Sequence, residues 1–334
     1  MPEHIEKKPL YNAVQSTFWG RNAINLPAEE CTPALLEQSI THLAQQYHAK
    51  ISVIKGSDLK DKGMNLIHAV GRGVSEECRL PRLIHLSYNS DTDYPHLALV
   101  GKGITFDTGG LNIKTGSSMN LMKKDMGGSA CVIALAMQIM ADKLPIKLDL
   151  IVPTAENNVS ANAFRPSDIF TAYNKKTVEI TNTDAEGRLI LADALTYTSQ
   201  LNPDIMIDIA TLTGAARTAL GADLPAMFTD CNETAQKLYD YGVQTDDNLW
   251  RLPLYAPYAK EIKGTISDYI NSPSGGMAGA ITAALFLKEF IGHTKKWIHF
   301  DSYCWNKAPH DGRPLGGDVV PIRAIYKYIQ KELC

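Results

Sequence analysis

Short apolar runs rich in valine and isoleucine alternate along the chain with longer stretches whose apolar residues recur at helical spacing. The runs predict strands at residues 50–54, 83–86, 97–100, 148–152, 205–209 and 297–300. Runs of this kind, apolar on both faces, are typical of strands in parallel sheets that helices cover on both sides. The alternation therefore predicts an α/β fold around a mainly parallel sheet.

Helical spacing is clearest just after Thr32, which is a suitable cap, and Pro33, which suits the first helical position. One face of this helix carries Leu36, Ile40, Leu43 and Tyr47. Further helices are predicted at residues 129–141, 189–199, 278–290 and 321–331. No repeat or low-complexity linker interrupts the pattern, and the turn cluster at 89–94 is too short for a domain boundary. We therefore predict one domain over 1–334, with about residues 1–30 as an N-terminal arm or connecting helix.

Composition narrows the classes of partner. The 334 residues are 45% hydrophobic and 21% charged, and 33 Lys and Arg against 36 Asp and Glu give a net charge of −3. This balance argues against nucleic acid as a partner. The six cysteines contain no CxxC pair, which argues against a disulfide framework or a thiolate zinc site. Without an apolar signal core or a run of membrane-spanning length, we expect a cytoplasmic protein with no membrane partner.

Several familiar catalytic motifs are missing. There is no HExxH, and the nine histidines show no metal-ligand spacing. The segment from Gly127 to Cys131 lacks the final glycine of a serine-hydrolase elbow. Gly101-Lys102-Gly103 lacks the third glycine of a dinucleotide loop, and no P-loop is present. Serine-hydrolase, nicotinamide and P-loop nucleotide chemistry are therefore poorly supported.

Carboxylates are concentrated in two segments that are otherwise small, apolar or glycine-rich. Asp107 and Asp125 are each followed closely by Gly-Gly, and Asp184 and Glu186 precede Gly187 and an apolar helix. In an extended stretch, residues two apart point to the same side, so we expect Asp184 and Glu186 to converge, with Gly187 turning the chain into the helix. Crowded carboxylates repel one another unless cations neutralise them, and oxygen ligands suit Mg²⁺, Mn²⁺ or Zn²⁺.

Each residue taken singly also has an ordinary structural interpretation. An Asp-Gly or Asp-Thr-Gly is usually a turn. Lys102 alone could be a surface lysine, Lys123 and Lys124 a solvated pair, and Arg188 a partner for a local carboxylate. The metal-site interpretation depends on the segments being considered together.

Together, these segments closely resemble the catalytic domain of the leucyl aminopeptidase (cytosol aminopeptidase) family. The string NTDAEGRL at 182–189 is similar to that family's full signature, and VGKGITFDTGG at 100–110 and KDMGG at 124–128 also fit. So do VPTAEN at 152–157, NAFRP at 162–166 and ATLTG at 210–214. The resemblance extends from about residue 22 to 314. It implies a three-layer α/β/α sandwich with a mixed, mainly parallel central sheet, forming a metallopeptidase catalytic domain.

The resemblance also implies two adjacent divalent metals. Lys102, Asp107, Asp125 and Glu186 would hold one. Asp107, Asp184 and Glu186 would hold the other, completed by the main-chain carbonyl of Asp184. The metals would be Mn²⁺ or Zn²⁺, with Mg²⁺ and Co²⁺ as alternatives, and they would ionise water beside the scissile amide. Lys102, as a metal ligand, would have to be neutral although its ordinary pKa is about 10.4.

The catalytic residues that the resemblance implies are Lys114 and Arg188. Protonated Lys114 would stabilise the tetrahedral oxyanion. Arg188 would hold bicarbonate, which would carry a proton from water to the leaving amine. The activity implied is removal of N-terminal residues from peptides, with the free α-amine bound near Asp125. The expected substrate-binding residues are Lys114, Met122, Asp125, Asn182, Thr211, Gly214, Tyr303 and Asn306.

The chain departs from the family pattern in two ways. The family's additional N-terminal domain is expected to be absent, although a homohexamer is still expected because the family assembles through its catalytic domains. The segment 301–306 reads DSYCWN, so Tyr303 and Asn306 would make the side-chain pocket narrower and more polar than a leucine site. We expect a preference shifted toward small or polar residues, unless Tyr303 merely packs the core.

Two other functions remain as alternatives. The first is a non-catalytic family member acting as an oligomeric scaffold, although every expected ligand and catalytic position is filled in this chain. The second is a Mg²⁺-dependent phosphoryl-transfer enzyme using the same aspartates. That alternative lacks a glycine loop or basic cluster for phosphates and assigns no distinct roles to Lys102 and Lys114.

Overall fold

The computed structural model of the protein describes residues 7–309 and 311–334. Its strands are β1 Lys50–Lys55, β2 Arg82–Tyr88, β3 His96–Gly101, β4 Gly103–Asp107, β5 Lys147–Asn157, β6 Ile169–Thr171, β7 Thr177–Glu179, β8 Ile205–Ala210, β9 Ala226–Phe228, β10 Trp250–Arg251, β11 Tyr269–Ile270, β12 Trp297–Asp301, β13 Trp305–Asn306 and β14 Gly316–Gly317. Its α-helices are α1 Lys7–Asn25, α2 Pro33–Tyr47, α3 Asp58–Asp61, α4 Asn65–Gly71, α5 Gly116–Met119, α6 Gly127–Ala141, α7 Gly187–Ser199, α8 Gly214–Leu220, α9 Asn232–Gln244, α10 Gly279–Lys288 and α11 Ile322–Glu332. Three 3₁₀ segments span Glu77–Arg79, Met122–Met126 and Ala256–Ile262.

One nine-stranded sheet organises the molecule. Its order is β1-β2-β5-β3-β8-β12-β9-β10, and β4 pairs with β5 beyond the end of β3. Strands β5, β3, β8 and β12 are parallel neighbours, whereas β1, β2 and β9 each have an antiparallel neighbour. The six strands predicted from the apolar runs are all present in this sheet. The prediction of a mixed, mainly parallel sheet is therefore confirmed.

Helices cover both faces of the sheet, because alternate residues along each strand point to opposite sides. Leu97 and Leu99 pack into a cluster with α1, α2, α6, α9 and α11. Ala98 and Val100, from the same strand, pack into a second cluster with α4, α7 and α10. The three-layer α/β/α arrangement is confirmed, and both faces of the central strands are buried.

The predicted helices are present with small changes at their ends. Thr32 begins α2 as expected, since its hydroxyl accepts a hydrogen bond from the Leu35 amide at 3.3 Å. Helix α9 was not predicted, and Leu238 is the one large apolar side chain that it buries fully. Among the helices of the described residues, none combines the length and apolarity that crossing a bilayer requires.

The N-terminal segment expected to be an arm or connecting helix contains α1, and its first six residues lie outside those described. Helix α1 packs along α6. Asn12 Nδ2 donates to Asp142 Oδ1 at 2.7 Å, and Arg21 pairs with Asp318 at 2.8 Å. Helix α1 is thus held against the layer that contains α6.

The parallel strands bring several polar residues to one edge of the sheet. Lys102 follows β3, Asp107 ends β4, Thr211 follows β8 and Asp301 ends β12. The carboxyl ends of parallel strands are where open α/β sheets bind ligands. The start of α6 approaches this edge closely, because a Cβ on Gly128 would lie 2.1 Å from the carbonyl oxygen of Ile209.

Replacing Gly128 with alanine is expected to destabilise the protein, because the new methyl group would overlap backbone that cannot rotate away. Overpacking of this kind costs about 1–3 kcal/mol in the free energy of unfolding. Urea unfolding midpoints check this. Gly116→Ala is the control, since a Cβ there has nothing within 4 Å and alanine favours the helix. Equal midpoints for the two variants would contradict the close-approach explanation.

Candidate functional site

Four carboxylates and two ammonium groups meet at the carboxyl edge of the sheet. The six residues come from two segments of the sequence, 102–125 and 184–186, and each was predicted to belong to the site. They are Lys102, Asp107, Lys114, Asp125, Asp184 and Glu186. We refer to them as the carboxylate cage.

Lys102 links two of the carboxylates, those of Asp125 and Glu186. Its Nζ lies 2.8 Å from Asp125 Oδ2 and 2.9 Å from Glu186 Oε1, and it donates a hydrogen bond to the Thr211 carbonyl at 2.8 Å. Gly187 makes this position possible, because a Cβ there would lie 2.6 Å from Lys102 Cε. The role of Gly187 is therefore to admit the lysine side chain.

Lys114 links the other two carboxylates. Its Nζ lies 2.8 Å from Asp107 Oδ2 and 2.5 Å from Asp184 Oδ1. The lysine stands between β4 and α5, on a segment that the chain reaches through Gly109, where φ is +85°. A side chain on Gly109 would be strained by this φ and would meet the Asn112 carbonyl oxygen at 2.6 Å.

The segment that carries Asp184 and Glu186 is a turn, so the prediction of an extended stretch is wrong. The Ala185 amide donates to the Asn182 carbonyl at 3.2 Å, and Asn182 Oδ1 accepts from the Asp184 amide at 2.9 Å. Glu186 already has helical backbone angles, and α7 begins at Gly187. The two carboxylates converge because the turn folds them toward Lys102 and Lys114, and strand alternation plays no part.

Neighbouring polar groups hold the cage oxygens in place. Asp107 Oδ1 accepts hydrogen bonds from Asn157 Nδ2 at 2.7 Å and from the Gly109 amide at 2.9 Å. Asp125 Oδ1 accepts from the Thr211 hydroxyl at 2.7 Å. These bonds leave the second oxygen of each carboxylate directed at a lysine.

Burial and mutual repulsion set the protonation behaviour of the acids. Burial, together with the charges of Glu186 and Asp125, raises the pKa of Asp107 well above its ordinary value. Burial also raises the pKa values of Asp125 and Asp184. Burial would raise the pKa of Glu186 as well, but Lys102 and Lys114 outweigh it and hold that pKa below its ordinary value. Positive charge in the cage would therefore stabilise the ionised forms of these acids.

The two cage lysines supply that charge in this structure. Burial acts to lower the pKa of Lys102, but the charges of Asp125, Glu186 and Asp107 raise it above its ordinary value. The pKa of Lys114 is raised in the same way by Asp107 and Glu186 against its burial. A protonated Lys114 agrees with the role expected of it. The neutral Lys102 expected from the resemblance requires the field of a cation among these acids.

The donor set fits a divalent metal. Asp107, Asp125 and Glu186 are buried and offer ligand atoms that all lie within 4.8 Å of one another. Asp125 Oδ2 and Asp184 Oδ1 are buried and accept no well-aligned hydrogen bond from the described residues, although each lies close to a lysine ammonium group. Hard oxygen ligands in this arrangement suit Mn²⁺ or Mg²⁺ and also bind Zn²⁺.

The cage opens into a cavity of about 520 Å³. Of the residues expected to bind substrate, six line its wall: Lys114, Met122, Asp125, Thr211, Gly214 and Tyr303. Asn182 and Asn306 do not. Asn182 instead organises the turn that precedes α7, and Asn306 donates to the Pro314 carbonyl at 3.0 Å and to Asp318 Oδ2 at 3.1 Å. Of the two residues expected to make the pocket more polar, Tyr303 lines the cavity and Asn306 does not.

Arg188 is buried and is not among the residues that line the cavity. Its Nη1 donates to the Asn271 carbonyl at 2.7 Å, and burial lowers its pKa to about 10. The charges of Glu186 and Asp301 act on it in the opposite direction. Among the described residues, Asn271 is its sole hydrogen-bond acceptor, so most of the guanidinium donors have no protein partner.

The structure adds residues to which sequence reasoning assigned no role. Asn157 orients Asp107, and Asn271 secures the turn by donating from Nδ2 to the Asn182 carbonyl at 2.6 Å. Asn157 is the last residue of VPTAEN at 152–157, which fits the family pattern. That match could have indicated a role for Asn157 in the site. Arg217 and Lys124 also line the pocket. For Arg217, an exposed residue on a short helix, the sequence offered no signal.

Comparison with known proteins places these observations in a family. The sequence model described as the cytosol aminopeptidase family, catalytic domain, matches residues 18–326. A probable cytosol aminopeptidase of Aquifex aeolicus is 38% identical over 94% of this chain and 64% of its own length. One of Prochlorococcus marinus is 39% identical over 98% of this chain and 66% of its own length. The chain thus spans just under two thirds of the length of these relatives.

Solved structures have the same fold. The cytosol aminopeptidase of Coxiella burnetii superposes with a TM-score of 0.94 at 44% identity, covering 98% of this chain and 71% of that one. The bottromycin maturation enzyme BotP in complex with Mn superposes with a TM-score of 0.92 at 33% identity, covering 99% of this chain and 72% of that one.

Mn²⁺ is expected to stabilise the protein, because it would neutralise the buried carboxylates of the folded cage and find no such site in the unfolded chain. At 100 times its Kd, a ligand adds about 2.7 kcal/mol to the free energy of unfolding. Thermal unfolding with and without Mn²⁺ measures this, and Glu186→Gln should lose most of the shift. Asp91→Asn is the control, since Asp91 is 85% exposed and pairs with Lys50. If Mn²⁺ raised the unfolding temperature of Glu186→Gln as much as that of the wild type, the cage would not be the Mn²⁺ site.

Proposed function

The chain belongs to the cytosol aminopeptidase family, and on that premise we propose that it is a two-metal aminopeptidase. It would hydrolyse the N-terminal peptide bond of peptides with a free α-amine. The observation that carries the proposal is the carboxylate cage, in which three buried acids offer ligand atoms within 4.8 Å of one another beside a cavity of about 520 Å³. Such a cavity can admit the first residues of a peptide.

In the proposed function, the residues of the cage are assigned to two cation positions. Lys102, Asp107, Asp125 and Glu186 would hold one cation, and Asp107, Asp184 and Glu186 the other. Two divalent cations, when bound, lower the pKa of water and polarise the scissile carbonyl. Asp107 and Glu186, both buried, would serve both positions. For Lys102 to act as a ligand, its ammonium group must give up a proton.

Lys114 is the residue proposed to stabilise the transition state. Its side chain is 13% exposed, lines the cavity and touches two cage carboxylates. Its pKa lies above the ordinary value, so it remains a donor at neutral pH. A protonated amine here would donate a hydrogen bond to the carbonyl oxygen as negative charge develops on it.

Arg188 is proposed to hold bicarbonate. The support is a buried guanidinium with one acceptor among the described residues, since a planar fork of free donors suits a bidentate oxyanion. Bicarbonate would supply proton transfer between water and the leaving amine. Among residues 7–309 and 311–334, no histidine lines the cavity to serve as a base.

Exopeptidase specificity would follow from where the α-amine binds. Asp125 lines the cavity and contacts Lys102, so an amine bound at Asp125 would leave little space for a preceding residue. The identity of the metals, whether Mn²⁺ or Zn²⁺, and assembly as a homohexamer remain predictions. Metal analysis of the purified protein and its mass in solution would test them.

Unblocked peptide substrates are expected to be cleaved, and N-acetylated ones left intact, because acetylation removes the amine that would bind at Asp125. A chelator should abolish cleavage and Mn²⁺ should restore it. Product release from matched free and acetylated dipeptides measures both effects. A scaffold without catalysis would cleave neither, and a phosphoryl-transfer enzyme would instead turn over a nucleotide or phosphoester.

Lys114→Met should lower kcat by about 10²–10³, which is typical of losing one oxyanion donor. KM should change less, because the interaction strengthens only in the transition state. Arg188→Ala should also lower kcat, and it alone should remove any dependence of the rate on added bicarbonate. Lys123→Met is the matched control, since Lys123 is a half-buried neighbour of the site whose ammonium group donates to the Asn25 carbonyl outside the cage. Bicarbonate dependence that survives in Arg188→Ala would contradict the assignment.

A further inference from the structure

The pocket beside the cage contains a second group of charges, which the proposed reaction does not use. Lys124 and Arg217 both line the cavity, together with Tyr303. The Nζ of Lys124 lies 4.3 Å from the centre of the Tyr303 ring, and the Cζ of Arg217 lies 4.9 Å from it. A third cation, Lys307 Nζ, lies 5.9 Å from the ring centre but does not line the cavity. Two cations of the cavity wall therefore flank one aromatic ring within the space that a substrate side chain would enter. We call Lys124, Arg217 and Tyr303 the cationic pocket.

The cations of this pocket differ from those of the cage. Lys102 and Lys114 each contact two carboxylates at 2.5–2.9 Å. In contrast, neither Lys124 nor Arg217 forms a salt bridge with a carboxylate among residues 7–309 and 311–334. Their contact with the Tyr303 ring is a cation–π interaction, which orients a cation without neutralising it.

The two cations are also placed differently with respect to water. The Lys124 side chain is buried, whereas Arg217 is exposed on α8. A guanidinium remains charged at any physiological pH and can bind a carboxylate through two parallel hydrogen bonds. The arginine is therefore the stronger candidate for contacting a ligand, with Lys124 adding to the field from inside the wall.

Asp301 also lines this cavity, but it forms no salt bridge with Lys124 or Arg217 among the described residues. Its oxygens accept hydrogen bonds from the start of α8 instead. Oδ1 accepts from the amides of Leu212 and Thr213 at 3.0 and 3.2 Å, and Oδ2 accepts from the Thr213 hydroxyl at 2.6 Å. These bonds fix Asp301 to the start of α8, where it organises the helix that carries Arg217.

We propose that the cationic pocket binds the side-chain carboxylate of the substrate's first residue, so that the protein prefers peptides beginning with glutamate or aspartate. The inference rests on the proposed aminopeptidase function and sharpens the expected preference for small or polar residues. Leu121 and Met122 line the same cavity and can contact the methylene groups of such a side chain. The carboxylate would then face Arg217 and Lys124.

The test compares glutamyl and glutaminyl substrates, which have nearly the same shape and differ by one charge. Aminomethylcoumarin amides are used, because they have no C-terminal carboxylate that could occupy the cationic pocket instead. Leucyl-aminomethylcoumarin is included as the neutral apolar reference. The readout is the ratio of kcat/KM for the glutamyl and glutaminyl amides, measured with the Mn²⁺-loaded full chain.

Wild-type protein is expected to favour the glutamyl amide by roughly tenfold, which corresponds to one charge pair at the edge of a protein. Arg217→Gln should reduce the ratio to below about threefold, and Arg217→Lys should retain most of it. Raising the salt concentration to about 1 M should also reduce the wild-type ratio, because the Debye length falls to about 3 Å. Arg217 is exposed, so these variants are expected to fold normally.

Lys295→Gln is the charge-matched control. Lys295 is exposed just before β12, at the opposite end of that strand from Asp301, so its loss should leave the ratio unchanged. Efficient cleavage of the leucyl amide with no preference for glutamyl over glutaminyl would overturn the inference and leave the proposed function intact. A glutamyl preference that is unchanged in Arg217→Gln would also overturn it. Failure to cleave all three amides would instead count against the proposed function.

Discussion

The concentration of negative charge in a buried space is the constraint on which the rest of this site depends. Asp107, Asp125 and Glu186 are almost fully buried and lie close enough to share a single cation. Carboxylates in such surroundings repel one another and lose hydration, so burial without counter-charge would favour their protonated forms. Lys102 and Lys114 provide that counter-charge, and both contact two acids at once. The hydrogen bonds and glycines around the cage place these charges or allow them to approach.

The fold meets this constraint through backbone contacts that few other sequences would permit. Gly128 allows α6 to begin against the carbonyl of Ile209, so that Asp125 lies directly over the end of β8. Gly187 allows Lys102 to reach Glu186 past the first turn of α7. The parallel strands bring the ends of β3, β4, β8 and β12 to one edge, and the two helix starts complete the enclosure. The glycines of the sequence motifs therefore have a steric function as well as a conformational one.

Charge in the pocket has two distinct forms. In the cage, anions and cations neutralise one another, and a divalent metal would compete with lysine for the same oxygens. In the cationic pocket, Lys124 and Arg217 face an aromatic ring and have no carboxylate partner in the described chain. In the proposed function, the cage would hydrolyse the peptide and the cationic pocket would select its N-terminal residue. Catalysis and specificity would then lie in separate parts of a single cavity.

The sequence by itself determined the layer architecture, because strands buried on both faces must be apolar throughout, and that pattern is local. It also determined the membership of the cage, because the motifs that carry Lys102, Asp107, Asp125 and Glu186 are contiguous and specific. Only the tertiary structure decided how the carboxylates converge, since the segment from Asn182 to Glu186 is a turn secured by the distant Asn271. It likewise excluded Asn306 from the pocket and brought Arg217 into it. Such pairings join residues far apart in the chain, and their geometry depends on how the helices pack, which local patterns of polarity do not encode.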